Sequence, residues 1–559
     1  MESGRPRNSK RRDDLRGINA NNDQRAVSYE EAFNKTGFGL WQYLLLLQCG
    51  WANASDAMEI MCISFIIPSV RDTMKVSHME LSALTFVLFF GMLVGGYIWG
   101  SLADTYGRRQ IVYISLAVNA IFGALSSVVE TYSLLLFLRF ISGFGAGGSL
   151  PAVFTYFSEF QPTKYRGAMI SALATCWMAG NIIIALLAWA VLPESEVLKS
   201  ISPHGQQWRL FAILCAIPSL ISAVLFFFMP ESPKYLHVNN KLNESLLVLK
   251  KMYKWNHLKN NPYSFQIHKL LPIGSEESDP LFEEDVIYSQ ENGDNESANL
   301  LESSNSYSYR SPTAFPNRSQ SGNIFTRFKE KFIFHLKMFH SQFVAIYAQS
   351  RRVNSIALTA TYILCAFGGY GMAMWTVVLM EKTEKLGGSP CRGYSSNGTD
   401  ILLRDTISDN SADAYIDVLI GACAQLPGNL LTIFLMDRLG ARIILIFVLF
   451  LSALSVLCFW LVNVKAQVVA MNAIYSGIQV GAWNALDVIT VEMYPTSIRS
   501  AATGNMNGIS RLGSILGTTI FGLFMDLNCS VPILTVFSVY ILCSLISIKL
   551  PNTRNITLD

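Results

Sequence analysis

The chain has 559 residues, 51% of them hydrophobic and only 15% charged, where a soluble globular domain carries about 25% charged residues, and that deficit argues against a soluble enzyme. Its 43 basic and 40 acidic residues nearly cancel, to +3, so no basic excess marks a nucleic-acid binder. About a dozen mostly apolar stretches of the roughly 20 residues needed to cross a bilayer make an all-α membrane protein the expected class.

In chain order, residues 1–37 form a polar N-terminal tail with no apolar core and small-residue cleavage site, so no removable signal peptide is expected. Six spans follow near 38–68, 80–103, 110–128, 133–157, 168–192 and 209–229, a first bundle over 38–230. The segment 231–352 holds a short amphipathic helix over Leu242 to Leu249 and then a Ser/Asn/Glu-rich linker from Ser275 to Ser321. Six more spans are expected near 353–380, 415–436, 442–463, 466–490, 500–525 and 531–550, a second bundle over 353–550 before the 551–559 tail. An even count puts both termini on one side, and the excess of Lys and Arg there, with the long central segment discounted, makes that side cytosolic.

Eight of the ten cysteines (Cys49, Cys62, Cys176, Cys215, Cys365, Cys423, Cys458 and Cys543) fall in apolar stretches, where Cys acts as a small hydrophobe. That leaves Cys391 and Cys529, both on the non-cytosolic side, as the pair available for a bridge. Sidedness leaves Asn397, within the 381–414 loop, and Asn528 among the N-x-S/T matches, and Asn397 is the expected glycosylation site because Asn528 abuts the membrane.

The two bundles repeat one another. Asp104, Gly107 and Arg109 recur as Asp437, Gly440 and Arg442, and Glu159, Pro162 and Arg166 as Glu492, Pro495 and Arg499, every pair offset by 333. Gly100 suits close helix approach and Gly107 a tight turn, while carboxylates and guanidinium groups at the inner ends of spans form a breakable latch. Charges at membrane edges also set topology; the duplicated spacing favours the latch. Within span 4, Gly143 to Gly148 reads as small-residue helix packing, since no strand precedes it as a phosphate loop requires.

These motifs resemble the major facilitator superfamily, which implies twelve transmembrane helices in two six-helix bundles. In that family such clusters hold the inner gate shut, a role the resemblance assigns to Asp104, Arg108, Glu159, Arg166, Asp437, Arg442, Glu492 and Arg499. The second copy departs from the pattern, with Ile433 in place of Gly100 and Ala441 in place of Arg108. Gln207-Trp208-Arg209 and Pro230-Glu231-Ser232-Pro233-Lys234 resemble the sugar and organic-ion porters. Asp56-Ala-Met-Glu59, the Ser142–Pro151 run and Trp483-Asn484-Ala485-Leu486-Asp487 resemble synaptic vesicle glycoprotein 2 and its relatives. The 34-residue loop over 381–414 is far shorter than the large lumenal domain of those glycoproteins, so binding attributed to that domain is not carried over.

Ionisable groups deep in a bilayer are functional candidates by default. Asp56 and Glu59 share one face of span 1, and Trp483 and Asp487 share one face of span 10; both faces are expected to point inward. The resemblance implies that Trp177, Trp483 and Asp487 line a central pocket, and Tyr370 and Trp375 on span 7 are candidates for further aromatic walls. Such a cage suits either a cation, held by charge and ring faces, or a sugar stacked on tryptophan. The tryptophans' alternative role is ordinary packing. Two acids on one face also suit proton coupling, because burial and mutual repulsion favour keeping a proton on one of them. Arg139 and Arg511 need partners, and Arg139 is placed near the span 1 acids.

The leading expectation is a secondary active transporter of a sugar or organic ion that works by alternating access. Its partners would be a small solute, protons and the bilayer, with no cofactor and no nucleic acid; a monomer is expected. The rival is a transporter-shaped protein of a vesicle or plasma membrane that serves in binding or trafficking. No Ser/His/Asp or metal-ligating constellation points to an enzyme.

Overall fold

The computed structural model describes residues 26–193, 206–257, 265, 267–272, 343–349, 351–386, 412–462, 464–494, 496–525 and 530–551. The glycosylation candidate Asn397, both bridge candidates Cys391 and Cys529, and the Ser275–Ser321 linker lie outside the described residues. So do the side chains of Asp104 and Asp437, although their backbones are helical.

The described helices are α1 (Tyr29–Thr36), α2 (Leu40–Met74), α3 (His78–Tyr106), α4 (Arg108–Leu125), α5 (Tyr132–Ser158), α6 (Thr163–Val191), α7 (Gln207–Phe227), α8 (Pro233–Val238) and α9 (Leu242–Asn256). After the central segment come α10 (Arg352–Leu386), α11 (Ala412–Leu439), α12 (Ala441–Leu461), α13 (Lys465–Met493), α14 (Thr496–Phe524) and α15 (Ser530–Ser547). The β pairing among the described residues is one parallel bridge, Val27 to Leu270.

Long helices lie over all twelve expected segments, six before the central segment and six after it. Eight of them are long and apolar enough to cross a membrane by length and composition. The other four, α2, α4, α13 and α14, carry polar side chains such as Asp56, Glu59, Asn119, Asn484, Asp487 and Arg511, which lower their mean hydropathy.

Contacts divide the chain into two compact units. The smaller comprises residues 1–44, 159–166 and 230–327. In it Ser28 caps α1 by accepting from the Glu31 amide (3.3 Å), and Tyr29 stacks on His237 with ring centroids 4.9 Å apart. The first amides of a helix lack partners within it. At α2, the Asn256 carboxamide accepts from the Trp41 amide (3.0 Å) and donates to the carbonyls of Thr36 and Gly37 (3.0 Å each). One side chain at the end of α9 thus fastens the turn between α1 and α2, where Gly37 takes φ +68°.

The larger unit holds residues 45–158, 167–229 and 328–559. There the sequence repeat becomes a repeat of hydrogen bonds. Gly107 and Gly440 both take positive φ (114° and 86°) between consecutive helices, donating to Ala103 (3.2 Å) and Met436 (2.9 Å). Arg109 donates to the Met229 carbonyl (2.9 Å) and Arg442 to that of Leu550 (3.0 Å). Arg166, in the smaller unit, donates to Gln161 (3.3 Å), and Arg499 repeats the bond to Tyr494 (3.3 Å). The glycine run packs helices, as its context requires. A Cβ on Gly143 or Gly147 would collide with the Leu88 or Met92 carbonyl of α3, and one on Gly145 would lie 2.7 Å from the Ser115 carbonyl of α4. Gly100, expected at a close approach, meets nothing within 4 Å; α3 makes its close approach earlier, at Gly91 and Gly95, each against the α5 backbone.

Candidate functional site

Two polar clusters form inside the larger unit, and they differ in their access to solvent. In the first, α2 supplies Asp56 and Glu59, α4 supplies Asn119, and α5 supplies Arg139 and Ser142. Arg139 Nη1 lies 3.0 Å from Glu59 Oε1. Asn119 donates to Asp56 Oδ1 (3.3 Å) and accepts from Ser142 Oγ (2.8 Å). All five residues are buried, Arg139 at 0% and Glu59 at 1% exposure. Among the described residues, Asp56 Oδ2, Glu59 Oε2 and Arg139 Nε have no hydrogen-bond partner. Gly123 leaves room for the Glu59 carboxylate, which a Cβ there would overlap.

The second cluster joins α10, α13 and α14. Tyr362 donates to Asp487 Oδ1 (3.0 Å), and its hydroxyl lies 3.0 Å from that of Thr490. Trp483, one turn before Asp487, sits edge-on to Tyr362 (6.4 Å between centroids) and to Tyr370 (6.0 Å). The Tyr370 ring also meets Phe89 of α3 at 5.0 Å, so helices of both six-helix sets converge here. Arg511 lies over that ring, its Cζ 5.4 Å from the centroid, and donates to Tyr370 Oη (3.1 Å). Asp487 is deep among the helices and nevertheless has an exposed surface. A carboxylate so placed borders free space among the helices.

The expected constellation is therefore split. Tyr370, Trp483 and Asp487 come together, whereas Asp56 and Glu59 are enclosed in a cluster of their own with Arg139. Trp375 is no wall of the aromatic site: it is fully buried and donates to the Thr518 carbonyl (3.0 Å). It follows Tyr370 by five residues, about 140° further round the helix. Trp177, on α6, is half-buried against the apolar core.

Sequence reasoning missed Tyr362, Asn119 and Ser142, and with them a polar seam from α6 to α11 and α13. Asn429 donates to Thr175 (3.0 Å), Asn484 to Asn429 (2.5 Å) and Asn181 to Gln425 (3.0 Å). The signal was present, since an amide amid an apolar stretch needs a partner. Of the remaining latch candidates, Glu159 and Arg166 belong to the smaller unit. There burial and the Glu159 carboxylate push the Tyr29 phenol well above its ordinary range, with Arg166 opposing. Arg108 and Glu492 are half-buried in the larger unit.

Residues 37–278 match the family model described as Sugar (and other) transporter. The chain is 28% identical to human synaptic vesicle glycoprotein 2B, covering 95% of this chain and 86% of that protein. To rat synaptic vesicle glycoprotein 2A it is again 28% identical, covering 95% and 80%. The 2B alignment runs over 626 positions against 559 residues here, so that relative carries segments this chain lacks. Among solved structures, the D-xylose-proton symporter superposes with a TM-score of 0.60 at 14% identity, covering 92% of this chain and 99% of that one. The partially occluded, inward-open xylose transporter XylE from E. coli gives 0.60 at the same identity and coverage. This chain thus has the major facilitator superfamily fold of a multi-pass membrane protein, and its likeness in sequence runs to the synaptic vesicle glycoprotein 2 branch.

Proposed function

We propose that the chain is a secondary active transporter of a small organic solute, with Tyr370, Trp483 and Asp487 as the binding centre. The carrying observation is Asp487, a carboxylate that keeps exposed surface inside an apolar helix bundle, held by Tyr362 and bordered by aromatic rings. In this reading both termini are cytosolic, the duplicated Asp/Arg and Glu/Arg motifs form the cytosolic gate, and Asn397 is glycosylated on the other side of a vesicle or plasma membrane. The sealed cluster of Asp56, Glu59 and Arg139 suits proton coupling, because two of its carboxylate oxygens lack hydrogen bonds among the described residues. The similarity to synaptic vesicle glycoproteins favours a second reading, a membrane protein that binds its ligand without moving it.

Thermal unfolding of the purified protein against sugars and organic ions at two pH values, followed by counterflow in liposomes, tests the proposal. A ligand at 100 times its Kd stabilises the state it binds by about 2.7 kcal/mol. The expected result is a stabilising solute that loses its effect in Asp487→Asn and undergoes counterflow. Binding without counterflow supports the second reading, and stabilisation that survives Asp487→Asn moves the site elsewhere.

A further inference from the structure

The two clusters treat charge in opposite ways. Where water is shut out, the chain pairs its guanidinium with a carboxylate, Arg139 with Glu59 at 3.0 Å. In the aromatic site it holds one of each and does not pair them. Arg511 makes its contacts with Tyr370, through the hydroxyl at 3.1 Å and the ring face at 5.4 Å, and among the described residues has no carboxylate within ion-pair distance. Asp487 accepts from the neutral Tyr362 hydroxyl and among the described residues has no cation within that distance. The rings of Tyr362, Trp483 and Tyr370 lie between the two charges, in steps of 6.4 and 6.0 Å between centroids.

An arginine stays protonated in proteins, and an uncompensated charge in a helix bundle is expensive, so it marks a place where a partner arrives. A neutral sugar satisfies neither charge. An organic cation answers Asp487 and leaves Arg511 unanswered; an organic anion does the reverse. We propose that the site takes an amphoteric solute, one molecule with its anionic group on Arg511, its cationic group on Asp487 and a flat or ring-bearing body against Trp483 and Tyr370. The aromatic faces reinforce the cationic end, and the guanidinium fork suits a carboxylate or phosphate at the other. This deepens the binding centre proposed above and rests on that reading.

The test uses four probes on one para-substituted benzene skeleton: amphoteric 4-(2-aminoethyl)benzoate, cationic 4-methylphenethylamine, anionic 4-ethylbenzoate and neutral 4-ethylbenzamide. Affinities come from the ligand-induced rise in unfolding temperature of the purified full chain. Each variant is first checked for wild-type elution and unaltered unfolding without ligand. The amphoteric probe should bind at least tenfold more tightly than any other. Arg511→Gln should reduce it to the affinity of the cation, Asp487→Asn to that of the anion, and Arg511→Lys should keep most of the preference. The proposal is overturned if a singly charged or neutral probe binds as tightly, if Arg511→Gln leaves the amphoteric affinity unchanged, or if no probe binds. The expected binding pattern without counterflow overturns transport and leaves the charge assignment standing.

Discussion

Arg139 and Arg511 show how one side-chain type does two jobs in the same bundle. Arg139 is fully buried with Glu59, and neither can return to water while the helices stay packed. Removing one partner of such a pair leaves a buried charge uncompensated, at about 3–5 kcal/mol. Glu59→Gln is therefore expected to destabilise the protein by that order, and adding Arg139→Met to recover much of the loss, both measured by unfolding in detergent. Equal destabilisation in the single and double variants would mean that the pair contributes through shape alone. Helix spacing was enough to put Trp483 and Asp487 on one face. It could not supply Tyr362, which reaches Asp487 across 125 positions of chain.

Between elements, glycines decide how near two helices come. Gly143 and Gly147 lie one turn apart on α5, and each faces a backbone carbonyl of α3 with no room for a Cβ. A carbonyl cannot swing aside as the end of a side chain can, and overpacking of this kind costs about 1–3 kcal/mol or more. Gly147→Leu should lower the unfolding temperature and the folded yield. Gly100→Ala, with nothing within 4 Å, should be neutral or stabilise α3 by about 0.5–1 kcal/mol through helix preference. A Gly147→Leu protein as stable as wild type would mean that α3 and α5 can separate freely. The repeat teaches a similar lesson. The 333-residue offset equates Arg109 with Arg442, and these are the arginines that tie their helices to Met229 and Leu550. Arg108, chosen from the family motif, has Ala441 in the second copy.

Across the larger unit, the two six-helix sets meet along distinct seams. Ser64 of α2 donates to the Ala373 carbonyl of α10 (3.0 Å), and further along the same helices Arg71 Nη2 lies 3.7 Å from Glu381 Oε1. Elsewhere in this unit Gly100, Gly167 and Gly504 have nothing within 4 Å of where a Cβ would stand, and Asp487 has exposed surface. If the sets rock against each other, the α2–α10 seam must part during turnover. A Ser64→Cys, Ala373→Cys double variant should lose counterflow on oxidation and regain it with reductant, while each single variant is indifferent to both. Full activity of the cross-linked protein would show that this seam does not move.

The sequence by itself determined the helices, their order, the six-and-six division and the internal repeat. Those properties depend on local composition and on spacing within one chain segment, which hydropathy and the 333-residue offset both record. It also picked out most of the charged groups, because so few stand in apolar stretches. Only the tertiary structure decided which charges are partners. Sequence places Arg139 near Asp56 and Glu59 and all of them in one central site with Asp487, but helix rotation, set by packing against neighbours such as Gly123 and Gly145, encloses the two acids with Arg139 and Asn119, apart from Asp487. That rotation leaves Asp487 and Arg511 without an ion pair among the described residues, with the rings of Trp483 and Tyr370 between them.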